Sequence, residues 1–187
     1  MDAQPLRYGD LAQLVEHLLC KQGVRGSIPL VSTLMSNFAE EYKVATEQFL
    51  NLANTLKQSD LDKSDADGWT PRQIIHHLAD SEAQSYARLR RLIAEPGSII
   101  QGYDENKWAE NPTLGYTTED IKDSLAVFTS VRKASYELLK RLSEAQLDNK
   151  GTHTESGEYS IRNWLKSYTK HPIDHANQLK NQLKEQS

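Results

Sequence analysis

The chain has 187 residues, a length at which one domain with its own hydrophobic core is the usual organisation. Its net charge of −4 argues against a nucleic-acid binder that works through phosphate contacts, and its single cysteine, Cys20, excludes an internal disulfide framework. No apolar run approaches the roughly 20 residues that a membrane-spanning helix needs, and no signal-peptide pattern is evident. We therefore expect a cytoplasmic protein that has neither a nucleic acid nor a membrane as its partner.

Residues 1–34 differ from the rest of the chain, because glycines and a proline interrupt any long helical period in them. Residues 11–17 (LAQLVEH) can be encoded by TTA GCT CAG TTG GTA GAG CAC, which resembles the D-arm of a transfer RNA gene. Residues 26–29 (GSIP) can be encoded by GGT TCG ATT CC, which resembles the T-arm, in the order that such a gene would give. One interpretation is a poorly ordered N-terminal arm of the native protein. Our hypothesis is instead that residues 1–34 are a poorly ordered, non-native extension that translates an upstream tRNA gene, and that Met35 starts the true domain, residues 35–187.

Two amphipathic helices are predicted in the first half of this domain. Apolar residues recur at steps of three and four across residues 36–56, which predicts a first helix that ends before the polar stretch at 59–68. The second helix begins with a capping box formed by Thr70 and Gln73, and it has a proline at its first position. Pro96, followed by glycine, ends it.

Two further helices are predicted after a long connection at 96–116, which is of the kind that often carries function. The third helix begins at a capping signature, residues 117–120, and continues to Leu142. A polar loop at 148–159 precedes a fourth helix that starts near Ser160. No convincing period-2 alternation appears, so we expect no strands. Four amphipathic helices of similar length predict an all-α four-helix bundle with long connecting loops.

A pair of histidines lies on the fourth predicted helix. His171 and His175 are four residues apart, so the helix would stack both imidazoles on one face, one turn apart. Two nitrogen atoms so placed can bind one metal ion, provided that a third ligand comes from elsewhere. Pro172 lies between them and has no N–H, and its ring opposes the carbonyl of Tyr168, so we expect a kink at this point.

The candidates for the third ligand are His76, His77 and His153. His76 and His77 are adjacent on the second helix and therefore point about 100° apart, so only one of them can face inward. The neighbouring apolar positions do not decide between them. His153 falls in a polar loop, where surface exposure and contact with a substrate are equally compatible with the sequence.

Several motifs resemble the YfiT-type branch of the DinB superfamily, and they occur in the family's order. Together they cover most of residues 36–183: GWTPRQIIHHLADS at 68–81, IQGYDENKWA at 100–109, ESGE at 155–158 and HPIDH at 171–175. The chain departs from the family pattern at Pro172, where a smaller and more helix-compatible residue is expected. Because several independent motifs match, the resemblance is specific.

The resemblance implies a four-helix bundle that holds one divalent metal ion with one histidine of the second helix and the histidine pair of the fourth. These positions correspond to His77, His171 and His175, which leaves His76 as a solvated residue. Family members are described as metal-dependent hydrolases, and relatives as thiol S-transferases that use bacillithiol, mycothiol or glutathione. Since relatives commonly pair, we also expect a homodimer.

Three neutral imidazoles would leave such an ion its full charge and an open coordination position, which is typical of a catalytic zinc site. Zinc is the first expectation, although nickel, iron and manganese also accept imidazole. The ion can lower the pKa of bound water to about 7, or it can bind a thiol as thiolate. The relatives, and the lack of an evident general base beside the ligands, favour transfer of a low-molecular-weight thiol to an electrophile. The alternatives are a metal-dependent hydrolase and a non-enzymatic metal-binding stress protein.

Charged residues outside the histidine set receive simpler interpretations. Asp104 and Glu105 lie in the loop motif that follows the second helix, and one of them could orient a ligand histidine through a hydrogen bond. Arg88, Arg90 and Arg91 lie close together on the second helix. We expect these arginines to form a solvated helix face, since charged residues are mostly exposed. The less favoured alternative is that they bind an anionic thiol cofactor.

N-terminal sequencing of the native protein tests the tRNA-gene hypothesis. We expect the first residue to be Met35 or the residue after it, because translation would start there. Intact-mass measurement of the same preparation is the control, since trimming by proteases would give ragged ends whereas initiation gives one defined start. Peptides that begin before Met35 would refute the hypothesis.

Overall fold

A computed structural model describes residues 38–63 and 68–184. The hypothesis about residues 1–34 lies outside this part of the chain. Four long helices and one short one organise it, and among the described residues no helix is both long and apolar enough to cross a bilayer. The helices are α1 at residues 38–53, α2 at Pro71–Ala94, α3 at Glu105–Glu110, α4 at Ile121–Leu139 and α5 at Ile161–Lys184.

The predicted helix ends agree with the structure to within a few residues. At the start of α2, the Thr70 side chain accepts the Gln73 N–H and the Gln73 side chain accepts the Thr70 N–H, as the capping box predicts. Helix α4 follows directly on the predicted signature, where Asp120 caps it. It ends at Leu139 and not at Leu142, because the N–H of Leu142 bonds to the carbonyl only three residues back and tightens the last turn.

The expectation of no strands is wrong for the two long connections. Strand β1, Ile99–Ile100, lies between α2 and α4, and strands β2, Lys150–His153, and β3, Gly157–Ser160, lie between α4 and α5. Strand β1 pairs in parallel with β2, and β2 pairs in antiparallel with β3. Strand β1, with two isoleucines, is too short to give a period-2 signal, and strands β2 and β3 are too polar. They form because the sheet pairs backbone N–H and C=O groups that would otherwise need other partners.

A glycine allows the two connections to meet. A Cβ atom at Gly151 would lie 2.4 Å from the carbonyl oxygen of Ser98, which is closer than side-chain and backbone atoms can approach. That carbonyl accepts the N–H of Thr152 at 3.0 Å, and the carbonyl of Ile100 accepts the N–H of Thr154 at 3.0 Å. The sheet thereby fastens the connection after α2 to the connection before α5.

The helices bury two apolar clusters. One cluster surrounds Trp164, whose ring stacks on Tyr42 with centroids 5.6 Å apart and whose Nε1 donates to the carbonyl of Ser85 at 3.1 Å. The other surrounds Phe49 and Phe128, whose ring centroids are 5.1 Å apart. Along each long helix, the residues of one cluster are separated from those of the other by polar groups, so a buried polar layer divides the core.

Arg132 is the centre of this layer and is 1% exposed. From α4, its guanidinium forms an ion pair with Glu82 of α2 at 2.8 Å. It donates to the Thr46 Oγ1 and to the Tyr42 carbonyl oxygen of α1, at 2.6 and 2.9 Å. It also donates to the carbonyl oxygen of Tyr168 on α5 at 2.7 Å. One side chain therefore joins all four long helices.

The contact with α5 offsets the effect of its internal proline. Because Pro172 has no N–H, the carbonyl of Tyr168, four residues earlier, has no donor within the helix. Arg132 supplies the missing donor. Helix α5 stays helical from Ile161 to Lys184 across the proline, so the one-turn spacing of His171 and His175 is preserved.

Arg132→Met should lower the free energy of unfolding by about 3–5 kcal/mol, because it leaves the Glu82 carboxylate buried without its partner. The control is Lys150→Met, which removes an exposed ion pair with Glu158 and should cost about 1 kcal/mol or less. Urea unfolding followed by circular dichroism measures both variants. Equal losses would show that the buried layer contributes no more than a surface ion pair.

Candidate metal centre

Three imidazole rings meet between α2 and α5. The Nε2 atom of His77 lies 3.0 Å from the Nε2 of His171, and the Nε2 of His175 lies 3.1 Å from the same atom. One ligand atom from each residue lies within 4.8 Å of the other two. The structure thus brings together the three residues that the sequence resemblance singled out.

The three imidazole rings are buried to different extents, which depend on the helix face that carries each histidine. Helix α2 places His77, which is 2% exposed, on the interior face that it shares with the buried Ile74. The ring of Trp69 packs edge-on against His77, with centroids 4.8 Å apart. On α5, His171 and His175 are partly buried, and their ring centroids are 4.7 Å apart. The cluster therefore lies at the border between the core and solvent.

All three rings are neutral at pH 7. Burial, together with the neighbouring His175, lowers the pKa of His77 to about 3 and the pKa of His171 to about 2. Burial also lowers the pKa of His175, although a hydrogen bond with Gln178 acts in the opposite direction. A neutral imidazole keeps one ring nitrogen with a free lone pair, which is what a metal ion requires.

The donor set fits a divalent metal ion. The Nε2 atom of His171 carries either one hydrogen or one lone pair, so it can form one good hydrogen bond although two ring nitrogens lie close to it. A cation that accepts all three lone pairs removes this conflict. Nitrogen ligands around a tetrahedral zinc ion, bound at about 2.0–2.1 Å, lie about 3.3–3.4 Å from one another. The separations of 3.0 and 3.1 Å in this cluster are close to that spacing.

The second nitrogen atoms of the rings have different surroundings. The Nδ1 of His175 lies 2.9 Å from the Oε1 of Gln178, which makes Nδ1 the donor and leaves the lone pair on Nε2. The Nδ1 atoms of His77 and His171 are buried without a hydrogen-bond partner. Gln178 was not predicted, although it lies three residues after His175, a spacing at which side chains on a helix meet.

Of the two acidic residues of the loop motif, Glu105 lies beside the cluster and Asp104 caps a helix. The Oε2 of Glu105, at the start of α3, is 3.7 Å from the Nε2 of His77, and its side chain is 58% exposed. Asp104 accepts the N–H of Lys107 at 3.1 Å and pairs with its Nζ at 3.3 Å. Helix α3 therefore brings a solvent-accessible carboxylate to the side of the cluster where the Nε2 atoms meet.

The comparison with protein families agrees with this geometry. The chain matches the family model of the DinB superfamily over residues 41–179, which is most of its length. The chain belongs to the DinB superfamily.

Named relatives of this DinB-superfamily protein share most of its length. A protein of Oceanobacillus iheyensis called "Putative metal-dependent hydrolase" is 33% identical over 147 residues, which cover 78% of this chain and 84% of the relative. A protein of Bacillus mycoides with the same description is 32% identical over 157 residues, which cover 80% and 88%.

A solved structure confirms the predicted four-helix bundle. YfiT from Bacillus subtilis, described as "a probable metal-dependent hydrolase with an unusual four-helix bundle topology", matches with a TM-score of 0.74 and 25% sequence identity. The match covers 81% of this chain and 87% of YfiT. The DinB-type bundle is therefore the fold of the described chain, with the small sheet as an addition that the sequence did not predict.

His76 is not solvated in this DinB-type bundle, contrary to the prediction. It is 6% exposed, its Nδ1 lies 2.7 Å from the Oγ of Ser124, and its Nε2 lies 3.3 Å from the carbonyl oxygen of Glu119. The prediction failed because the start of α4 covers this face of α2, which the periodicity of α2 alone cannot reveal. Both adjacent histidines are buried, but only His77 belongs to the cluster.

A polar cavity of about 380 Å³ adjoins the cluster, and Glu105 lines it. Its walls also include Ser81 and Arg88 of α2, Tyr103, which follows β1, and His153 of β2. His153, for which the sequence left exposure and substrate contact open, is partly buried in this wall. No cluster histidine lines this cavity, but Glu105 joins it to the cluster, because its Oε2 lies 3.7 Å from the Nε2 of His77. A second and more apolar cavity of about 460 Å³ lies against α1 and α5, and neither Glu105 nor a cluster histidine lines it. The polar cavity is therefore the one placed to hold a substrate.

The prediction that the arginines of α2 form a solvated face is wrong for Arg88. Arg91 is exposed beside Glu95, as expected. Arg88 is partly buried and donates from Nη1 to the Oη of Tyr168 at 3.0 Å and from Nη2 to the carbonyl oxygen of Gln101 at 2.7 Å. The charge pattern of α2 could not reveal this, because the acceptors come from α5 and from the connection after α2.

Proposed function

We propose that this chain is a metal-dependent hydrolase in which His77, His171 and His175 hold one divalent metal ion and Glu105 serves as general base. The observation that carries the proposal is the convergence of three neutral Nε2 atoms beside a solvent-accessible carboxylate, 3.7 Å from one of them. The descriptions of the relatives from O. iheyensis and B. mycoides support the same class of activity.

The proposed ligand set favours catalysis over a purely structural role for the metal. Three histidine ligands leave a divalent ion with its charge uncompensated and with room for another ligand. When bound, such an ion lowers the pKa of a water molecule to about 7 and polarises a carbonyl oxygen. We propose zinc, because three imidazole donors are typical of catalytic zinc sites. Nickel, iron and manganese also accept imidazole, so elemental analysis decides among them.

In this proposal, Glu105 carries a proton from the attacking water to the leaving group. Its carboxylate accepts a proton from the attacking water, whose oxygen forms a bond to the acyl carbon of an ester or amide. The bond from that carbon to the leaving oxygen or nitrogen then breaks, and the leaving group takes the proton from Glu105. The exposure of the Glu105 side chain supports this role, because water can reach it.

The position of Glu105 changes the preference between two reactions. Thiol transfer was favoured by the sequence partly because no general base was evident beside the ligands, and a carboxylate 3.7 Å from His77 removes that reason. Transfer of a low-molecular-weight thiol, and metal binding without catalysis, remain predictions. An assay with and without thiols separates the three functions.

Purified protein should carry close to one divalent ion per chain, and His77→Asn should reduce this to near zero because it removes one of three ligands. His76→Asn is the matched control, since His76 is adjacent and also buried but lies outside the cluster. Elemental analysis measures the metal, and circular dichroism verifies that both variants fold. Metal retained by His77→Asn, or lost from a folded His76→Asn, would overturn the ligand assignment.

Glu105→Gln should lower kcat for hydrolysis by about 10²–10⁴-fold, because the general base is lost, while the metal content stays unchanged. Glu110→Gln is the matched control: it is the same exchange on the same helix, at an exposed residue. Both variants are measured on a panel of esters and amides without thiol. A second panel combines a haloarene with bacillithiol, mycothiol or glutathione.

The two panels separate the functions. Hydrolysis without thiol that falls in Glu105→Gln supports the proposal. Turnover that requires a thiol would establish the transferase instead, and no turnover in either panel would leave a metal-binding protein.

A further inference from the structure

We propose that the polar cavity beside Glu105 binds a carboxylate group of the substrate through Arg88 and His153. The proposed hydrolase would then prefer esters or amides that carry an anionic end. The inference rests on the proposed function, which places the ester or amide bond that breaks beside the metal cluster and Glu105. The position of the anionic group is argued from the lining of the cavity alone.

Arg88 carries a positive charge that no carboxylate neutralises in the described part of the chain. A guanidinium has five N–H groups, and the contacts with Tyr168 and Gln101 use two of them. Its Nε is buried without a hydrogen-bond partner. The two contacts hold the guanidinium in place in the cavity wall and leave donors unused. A fixed guanidinium with unused N–H groups is suited to a carboxylate, which accepts two parallel hydrogen bonds.

His153 provides a second donor in the same wall. Its Nδ1 accepts the N–H of Glu155 at 3.3 Å, so in the neutral ring the hydrogen lies on Nε2. The ring packs on Tyr159 with centroids 5.5 Å apart, which fixes its plane. Burial lowers the pKa of His153, and the nearby charge of Arg88 lowers it further. Both side chains line the same cavity, so they can act on one bound group.

The carboxylates of the cavity leave this wall open to an anion. Asp104 is neutralised by Lys107 at 3.3 Å, and Glu105 lies beside His77. Glu155 is exposed and lies against Gly102, where a Cβ atom would be 2.4 Å from its Cδ. Glu105 is assigned to the reacting group, so Glu155 is the lining carboxylate outside the reaction whose removal should strengthen anion binding.

The spacing along α2 sets the shape of the substrate. Ser81 and Arg88 line the cavity and follow His77 by four and eleven residues, so that their Cα atoms lie about 6 and 16 Å further along the helix axis. The Arg88 side chain shortens this separation, because its Nη1 contacts the Oη of Tyr168, whose ring centroid lies 6.4 Å from that of His171. The anionic group is therefore several bonds away from the ester or amide that reacts. A short acyl chain that ends in a carboxylate fits this requirement.

The test uses the full chain loaded with its metal and a series of esters of increasing length. Each ester is made in two forms, one with a terminal carboxylate and one with a neutral amide of the same size. The wild-type protein should favour the carboxylate form by about 10-fold or more in kcat/KM, which is the effect expected of a hydrogen-bonded charge. An equal rate for both forms at every length would overturn the proposal.

Variants assign the preference to the two donors. Arg88→Met should abolish the preference mainly by raising KM for the carboxylate esters, and Arg88→Lys should restore part of it. Because Arg88 also supports Tyr168 and Gln101, His153→Leu is the second variant and should reduce the preference without removing a helix contact. Glu155→Gln should increase the preference. A preference that persists in Arg88→Met and His153→Leu would overturn the assignment.

A binding measurement keeps this inference separate from the proposed hydrolase. If no ester is hydrolysed, the hydrolase proposal fails, and calorimetry with glutarate then tests the anion site alone. Binding that weakens at least tenfold in Arg88→Met supports the site, and binding that is equal in both proteins overturns it. If only a carboxylate-bearing thiol such as glutathione binds in an Arg88-dependent manner, the anion belongs to a thiol cosubstrate and the assignment to an acyl substrate falls.

Discussion

The buried guanidinium of Arg132 is the interaction on which both the bundle and its candidate centre depend. A desolvated arginine is tolerated only when acceptors surround it, and here α1, α2 and α5 each provide at least one. Helices α2 and α5 also carry the clustered histidines, so the same contacts fix the separation at which the Nε2 atoms meet. A shift of α2 or α4 by one residue would break the buried ion pair, and a shift of α1 or α5 would remove a neutral acceptor from the guanidinium. We infer that this layer specifies the register that the cluster needs.

Pro172 shows how a residue that is unfavourable for one helix supports the whole assembly. Within α5 it removes a backbone hydrogen bond, and it does so one residue after His171. The carbonyl that is freed, that of Tyr168, becomes an acceptor for Arg132. The departure from the expected family pattern is therefore matched by a contact from another helix, and the histidine spacing survives.

Local signals in the sequence predicted the helices and the histidine pair, because capping residues, prolines and apolar periodicity act within a few residues of one another. The choice of His77 over His76 came from family resemblance, since adjacent residues on one helix carry no sign of what packs against them. The burial of His76, the approach of Glu105 and the role of Arg88 all depend on partners distant in sequence. The sheet was missed for a related reason, because two- and four-residue strands are stabilised by pairing and not by a side-chain pattern.

The parallel pairing of β1 with β2 also has a consequence for the order of folding. Ile99 pairs with Thr152, about 50 residues later in the chain, so the sheet can close only after α4 has docked and brought the two connections together. The histidine cluster needs only α2 and α5 in contact. We infer that the cavity wall that contains His153, which is held by short strands, opens more readily than the helices in a local fluctuation. Transient opening of this wall would admit and release small molecules while the bundle and its histidines stay intact.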